Sequence, residues 1–165
     1  MKVYRCKFCG YLHVASVPDK CPMCGAPASA FSEYQVPDIS GTKTAENLAA
    51  AFAGESQANR KYTLWRQIAE DTGASAETLA AFDRPLAEET AHALSHAAYL
   101  GFFGDSKENF ANAADGEHYE TSKMYPEFAK TAEEEGFPEI AEYLRKVGMF
   151  EAQHEAGYRK ALESL

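Results

Sequence analysis

The sequence predicts a mainly α protein, a four-helix bundle preceded by a small metal-binding β module. Three observations predict it. All four cysteines lie within the first 24 residues of a 165-residue chain. Near residue 40 the composition changes from short strand-like pieces and turns to a stretch rich in Ala, Glu and Leu with helical periodicity. Two Glu-x-x-His motifs then fall on separate helical segments. A chain of this length holds one ordinary domain, or a helical domain with a small satellite. Its 45% hydrophobic content allows a core of normal size.

The elements follow in order. Strand-like pieces at residues 2–5, 11–14 and 31–36 are punctuated by two CxxC pairs and by Pro18, Pro22 and Pro27. The stretch 36–41 reads as a linker, giving a metal module over 1–36, a linker over 37–43 and a helical domain over 44–165. A first helix is expected over 45–71, with Thr44 as its N-cap and Gly73 as its stop. The second follows the Ser75 cap and ends near Phe103, with a kink at Pro85 or a restart capped by Asp83. The third spans about 107–135 and should bend at Pro126. Gly136-Phe137-Pro138 breaks it, and Pro138 opens a fourth helix that ends near Ser164.

Composition excludes several classes. A net charge of -9 argues against nucleic acid and against acidic membrane surfaces. No apolar run reaches the roughly 18 residues that a membrane span needs. The N-terminus MKVYRCKFCGY has no apolar signal core, so a cytoplasmic location is expected. Two close cysteine pairs in a reducing compartment read as metal ligands rather than disulfides.

Cys6-x-x-Cys9-Gly10 and Cys21-Pro22-x-Cys24-Gly25 are two knuckles separated by 11 residues. Each turn lets two thiolates face one ion, and the glycines permit backbone amides to turn toward the sulfurs. Four thiolates in tetrahedral array suit Zn(II) or a single iron, and the spacing does not choose between them. Zinc would make the module a structural ribbon; iron would make it a one-electron carrier. His13 is expected on the surface or behind the ligands.

On the helices, Glu89/His92 and Glu151/His154 each place two ligands on one face at an i, i+3 offset. Glu55 on the first helix and Glu117 on the third complete a ferritin-like di-metal pattern, and Glu120 adds a fifth carboxylate. These residues share faces with apolar neighbours such as Phe52, Tyr62, Met124, Phe128 and Tyr158. Carboxylates on buried faces are prohibitively costly without cations. An oxygen-rich site with two imidazoles suits Fe or Mn, and Zn or Mn can replace iron in a given preparation. Tyr62 and Tyr125 lie one or two turns from Glu55 and Glu120, placed to bond a ligand carboxylate or to pack. His96 and His118 have no assigned ligand role.

At this point the chain resembles the rubrerythrin family with its two domains in reversed order, as in reverse rubrerythrins. The resemblance rests on the Phe52-Ala53-Gly54-Glu55-Ser56-Gln57-Ala58 stretch, the Glu89/His92 pair and Gly116-Glu117-His118-Tyr119-Glu120. It also rests on Met124-Tyr125-Pro126-Glu127-Phe128, Glu151/His154 and the CxxCGY and CPxCGAP segments, which are similar to a rubredoxin-like module. The resemblance implies a ferritin-like four-helix bundle in which Glu89 and Glu151 bridge two irons. Glu55, Glu117 and His154 would be terminal ligands, with His92 and Glu120 competing for one iron as its oxidation state changes. It implies reduction of hydrogen peroxide to water, with Cys6, Cys9, Cys21 and Cys24 holding the iron that returns electrons. A rubredoxin or an NAD(P)H-dependent flavoprotein is the implied external donor.

Chain length bears on assembly. In the ferritin-like arrangement the second and third helices run parallel, and His92 and Glu117 at a common height are 25 residues apart. Returning to the start of a parallel helix would need roughly eight or more extended residues, and only 104–106 break the helices. The expectation is a domain-swapped homodimer whose di-iron sites are shared between chains, with a flexible linker setting one module against a bundle containing the partner's helices. An up-down-up-down monomer with short loops is the competing geometry. Among functions, a ferroxidase, iron-handling or dioxygen-reducing di-iron protein is the alternative to the peroxidase, and a zinc-ribbon protein with a structural metal bundle is the third.

Overall fold

Short strands gain stability only from partners across a sheet. In a computed structural model describing residues 1–165, three of them find each other at the N-terminus. Strands β1 (Val3–Cys6), β2 (Leu12–Val14) and β3 (Phe31–Glu33) form an antiparallel sheet in the order β2-β1-β3. Val3 lies opposite Val14 and Cys6 opposite Phe31. The chain divides into two compact units, Met1–Phe103 and Gly104–Leu165.

In the first unit the sheet is followed by α1 (Lys43–Asp71) and α2 (Ala76–Tyr99). The cap of α1 is Thr42 rather than Thr44: its hydroxyl accepts the Ala45 amide at 3.2 Å. Ser75 caps α2 as expected. That helix runs unbroken through Pro85, and Asp83 binds Arg66 at 2.7 Å instead of capping a restart. A four-residue turn joins α1 and α2, so they pack as a helical hairpin. Buried Asn59 fastens them, donating to the Leu86 carbonyl at 2.9 Å and to the Thr90 hydroxyl at 3.0 Å.

The module does not hang on a free tether. Ala98 packs with Val3 and Leu12 in a buried cluster that Val36, at the head of the expected linker, also joins. Ala91 is buried among Cys6, Tyr11, Cys21, Ala30 and Phe31.

The second unit opens with α3 (Ser106–Tyr119), whose N-terminus is a capping box between Asp105 and Glu108. The Asn109 side chain also bonds both the amide and the carbonyl of Gly104, at 2.7 and 2.9 Å. The bend expected at Pro126 takes the form of a π turn over Glu120–Met124, after which α4 (Tyr125–Glu134) continues. The Tyr125 amide reaches back five residues to the Glu120 carbonyl. Pro126 has no N–H to close the next ordinary turn, so the wider register costs little at this position. Pro138 is the first residue of α5 (Pro138–Leu162). Ala129, Ala132 and Ala141 form the buried seam of α4 and α5, and the Thr121 hydroxyl donates to the Gly148 carbonyl at 2.6 Å. No helix is long and apolar enough to cross a membrane.

Candidate metal centres

The four cysteines converge although 14 residues lie between the first members of the two pairs, Cys6 and Cys21. Cys6 and Cys24 sulfurs stand 3.8 Å apart, and Cys9 and Cys21 sulfurs 3.6 Å. A tetrahedron with metal–sulfur bonds of about 2.3 Å has edges of about 3.8 Å, so the spacing fits one ion. Gly10 and Gly25 adopt φ of 81° and 74°, which lets each knuckle close with a bond back to the first cysteine's carbonyl. Phe8 and Cys9 amides face the Cys6 sulfur, and Met23 and Cys24 amides face the Cys21 sulfur. Burial opposes ionisation of Cys6, yet those amides and the neighbouring thiols bring it down to about 7. Cys9 bears the opposite consequence, pushed up to about 12 by burial. Four thiols this close resist ionising together, and a cation resolves that.

Two further groups lie on the helices. In the first unit Glu55, Glu89 and His92 bring one ligand atom each within 4.8 Å of the others. His92 Nδ1 stands 3.1 Å from Glu89 and 3.9 Å from Glu55. In the second unit Glu117, Glu151 and His154 do the same, with His154 Nδ1 at 2.7 Å from Glu151 and 3.8 Å from Glu117. Glu55 and Glu89 act on each other: the hydrogen bond between them raises Glu55 and lowers Glu89. Burial raises Glu117, and the charge of Glu151 adds to it. Each group therefore fits a cation by chemistry as well as by geometry.

The remaining sequence candidates separate. Glu120 opens the π turn outside the three-residue group, and its charge acts on Glu117 and Tyr125. Burial, followed by the charges of Glu120 and Glu151, holds the Tyr125 phenol above its ordinary value. Tyr62 stacks with Trp65 and Phe82, at ring separations of 5.6 and 6.4 Å. His118 joins an exposed chain through Glu155 and Arg159 to Asp115. His13 bonds the Tyr11 hydroxyl at 3.3 Å. Sequence reasoning missed Ser95, whose hydroxyl accepts the buried Leu12 amide at 3.1 Å. The one available signal was the spacing of Ala91, Ser95 and Ala98, small residues on one helical face.

A four-thiolate module ahead of helices that carry two Glu/Glu/His groups defines a metalloprotein with two kinds of metal site. Comparison with known proteins is specific on this point. The Rubrerythrin family model matches residues 46–162, and the model for the rubredoxin-like domain of rubrerythrin matches residues 4–32. The chain belongs to the rubrerythrin family, with the rubredoxin-like domain first. It is 39% identical to rubrerythrin-1 of Clostridium acetobutylicum, over 77% of this chain and 73% of that one. It is 38% identical to a rubrerythrin of Porphyromonas gingivalis, over 73% and 66%. Reverse rubrerythrin-1 of C. acetobutylicum is 28% identical, but over 98% of this chain and 97% of its own length. The tetracysteine site and the two carboxylate–histidine groups fit the iron sites of this family, whose members are oxidoreductases with roles in oxidative stress.

Proposed function

We propose that this protein reduces hydrogen peroxide to water, with electrons relayed through the tetracysteine iron. The observation that carries the reading is the conjunction, in one chain, of that thiolate site with two matching Glu/Glu/His groups. Two irons, when bound at the helical groups, supply the two electrons that break the O–O bond. On this reading Glu89 and Glu151 would hold both irons, Glu55, Glu117 and His154 would each hold one, and His92 and Glu120 would be the alternative ligands to one of them. Tyr125, kept protonated by burial and its acidic neighbours, is a hydrogen-bond donor to the bound oxidant rather than a phenolate. Each peroxide takes up two electrons and two protons and leaves as two waters. A low-potential carrier, a rubredoxin or an NAD(P)H-dependent flavoprotein, refills the thiolate site from outside. Free thiols in close pairs suit a reducing cytoplasm.

We further propose a domain-swapped homodimer. From His92 to the end of α2 the helix rises about 10 Å, and from the start of α3 to Glu117 about 16 Å. Returning along a parallel helix therefore demands about 27 Å, whereas six connecting residues reach at most about 25 Å when fully extended. The Asn109 and Asp105 bonds fold that connection instead of extending it. A partner's α3–α5 would supply the missing half of each centre. A monomer by sedimentation with an intact di-iron site would sink this assembly.

The function is tested by recording metal content and visible spectrum of anaerobically purified protein, then adding stoichiometric peroxide after reduction. Thiolate-to-iron bands that bleach on reduction and return faster with peroxide than with dioxygen are expected. Faster return with dioxygen would favour a ferroxidase, and a colourless zinc protein inert to peroxide after iron reconstitution would end the proposal.

A further inference from the structure

The thiolate module and the His92 group share one helix. Ala91, the neighbour of His92, is 2% exposed and packed in the same cluster as Cys6 and Cys21. One turn on, Ser95 accepts the Leu12 amide. A further turn on, the Tyr99 hydroxyl donates to the carbonyl of Gly10, the residue after Cys9, at 2.9 Å. The module is therefore seated along successive turns of α2, and a cavity of about 270 Å³ lies beside the seat. Cys9, Tyr11 and Met23 line it from the module, and His92, Ser95 and His96 from α2.

We infer that electrons pass from the thiolate site to the His92 group of the same chain across this face of α2, with His96 as the positioning residue of the route. The inference rests on the peroxidase reading for its purpose, and it gives the module a fixed seat on α2 of its own chain where a flexible linker was expected. In each transfer the thiolate iron goes from ferrous to ferric and the helical centre gains that one electron. Two transfers restore what one peroxide removes, and an external one-electron carrier re-reduces the thiolate site after each. No bond to the protein forms or breaks. His96 lines the same cavity as the thiolate ligand Cys9 and the imidazole ligand His92, so a polarisable ring occupies space that solvent would otherwise fill.

The seat is tested first without turnover. In the zinc-substituted protein the Leu12 amide should be protected from hydrogen exchange, and Ser95→Ala should speed its exchange about tenfold. A Leu12 amide that exchanges freely in the unsubstituted chain overturns the seat. The route is tested in the iron-loaded protein by flash reduction, which places one electron on the thiolate site without peroxide. Recovery of the bleached thiolate band reports its onward transfer. His96→Leu should slow that recovery about tenfold, with metal content and the thiolate spectrum unchanged. Unchanged recovery removes His96 from the route. Mixed dimers, in which the only thiolate iron sits on a chain carrying Glu89→Ala and His92→Ala, should lose recovery; recovery at the parent rate overturns the same-chain assignment. Failure of peroxide reduction with intact band recovery would count against the peroxidase reading alone.

Discussion

The two Glu/Glu/His groups are built alike and surrounded differently. In each, histidine Nδ1 meets its i−3 glutamate at hydrogen-bond distance and a glutamate of the neighbouring helix near 3.9 Å, at 3.9 Å in one and 3.8 Å in the other. Each helix pair is also fastened by one side chain that donates to a backbone carbonyl, Asn59 in the first unit and Thr121 in the second. The surroundings diverge from there. Two members of the first group, Glu89 and His92, lie on the helix that seats the thiolate module. The second lies beside a π turn that begins with a spare carboxylate and ends against a half-buried tyrosine. Two groups that fit a cation equally well therefore stand in unlike surroundings, and the peroxidase reading would give those surroundings different work.

The strongest way to break this comparison is to remove the matching carboxylates. Glu89→Ala and Glu151→Ala should each abolish metal binding at the helical centre while leaving the cysteine iron, so metal analysis should fall from about three irons per chain to about one, with affinity reduced by about a hundredfold or more. Retention of one helical iron in either variant would mean that the halves bind independently. Next in size, Glu120→Gln and Tyr125→Phe should lower peroxide turnover by about ten- to a hundredfold with metal content intact. Tyr62→Phe should change it by less than about twofold, because Tyr62 stacks on Trp65 and Phe82. Steady-state assays on metal-matched samples decide this.

The fastenings give smaller effects. Asn59→Ala leaves the Leu86 carbonyl without its side-chain donor inside a packed helix pair and should cost about 1–3 kcal/mol; Thr121→Val, which loses a single bond, about 1 kcal/mol. Chemical denaturation of the metal-free protein would read both, and a larger loss at Thr121 would mean that the π turn depends on it. Smallest of all, Asp83→Asn weakens an exposed pair with Arg66 and should stay within about 0.5 kcal/mol.

Residue spacing carried the ligands and the class of fold. Paired cysteines and Glu-x-x-His offsets are local, so they survive any uncertainty about how helices meet. The parts that escaped the sequence depend on choices between near-equal partners. Thr42 and Thr44 are both good caps, and the bond to Ala45 decides for Thr42. Pro126 announces a disturbed turn but not its register, and the five-residue bond at Tyr125 gives it. Ala91, Ser95 and Ala98 look like ordinary small helix residues until a sheet from the start of the chain is laid on them. Tyr62 shares the spacing of a ligand-bonding residue with that of a packing one, and its aromatic neighbours show the packing.

The seat on α2 also has a consequence for synthesis on the ribosome. Leu12 is 1% exposed in the finished protein, yet the residue that covers it, Ala98, is translated 86 positions later. At roughly 5–20 residues per second the newly made sheet waits about 4–17 s with an apolar face and an unbonded Leu12 amide exposed. A metal ion captured by the four thiolates in that interval would hold the knuckles closed before any helix exists to support them. Metal supply during translation, rather than after it, would then govern how much of the chain reaches its folded state.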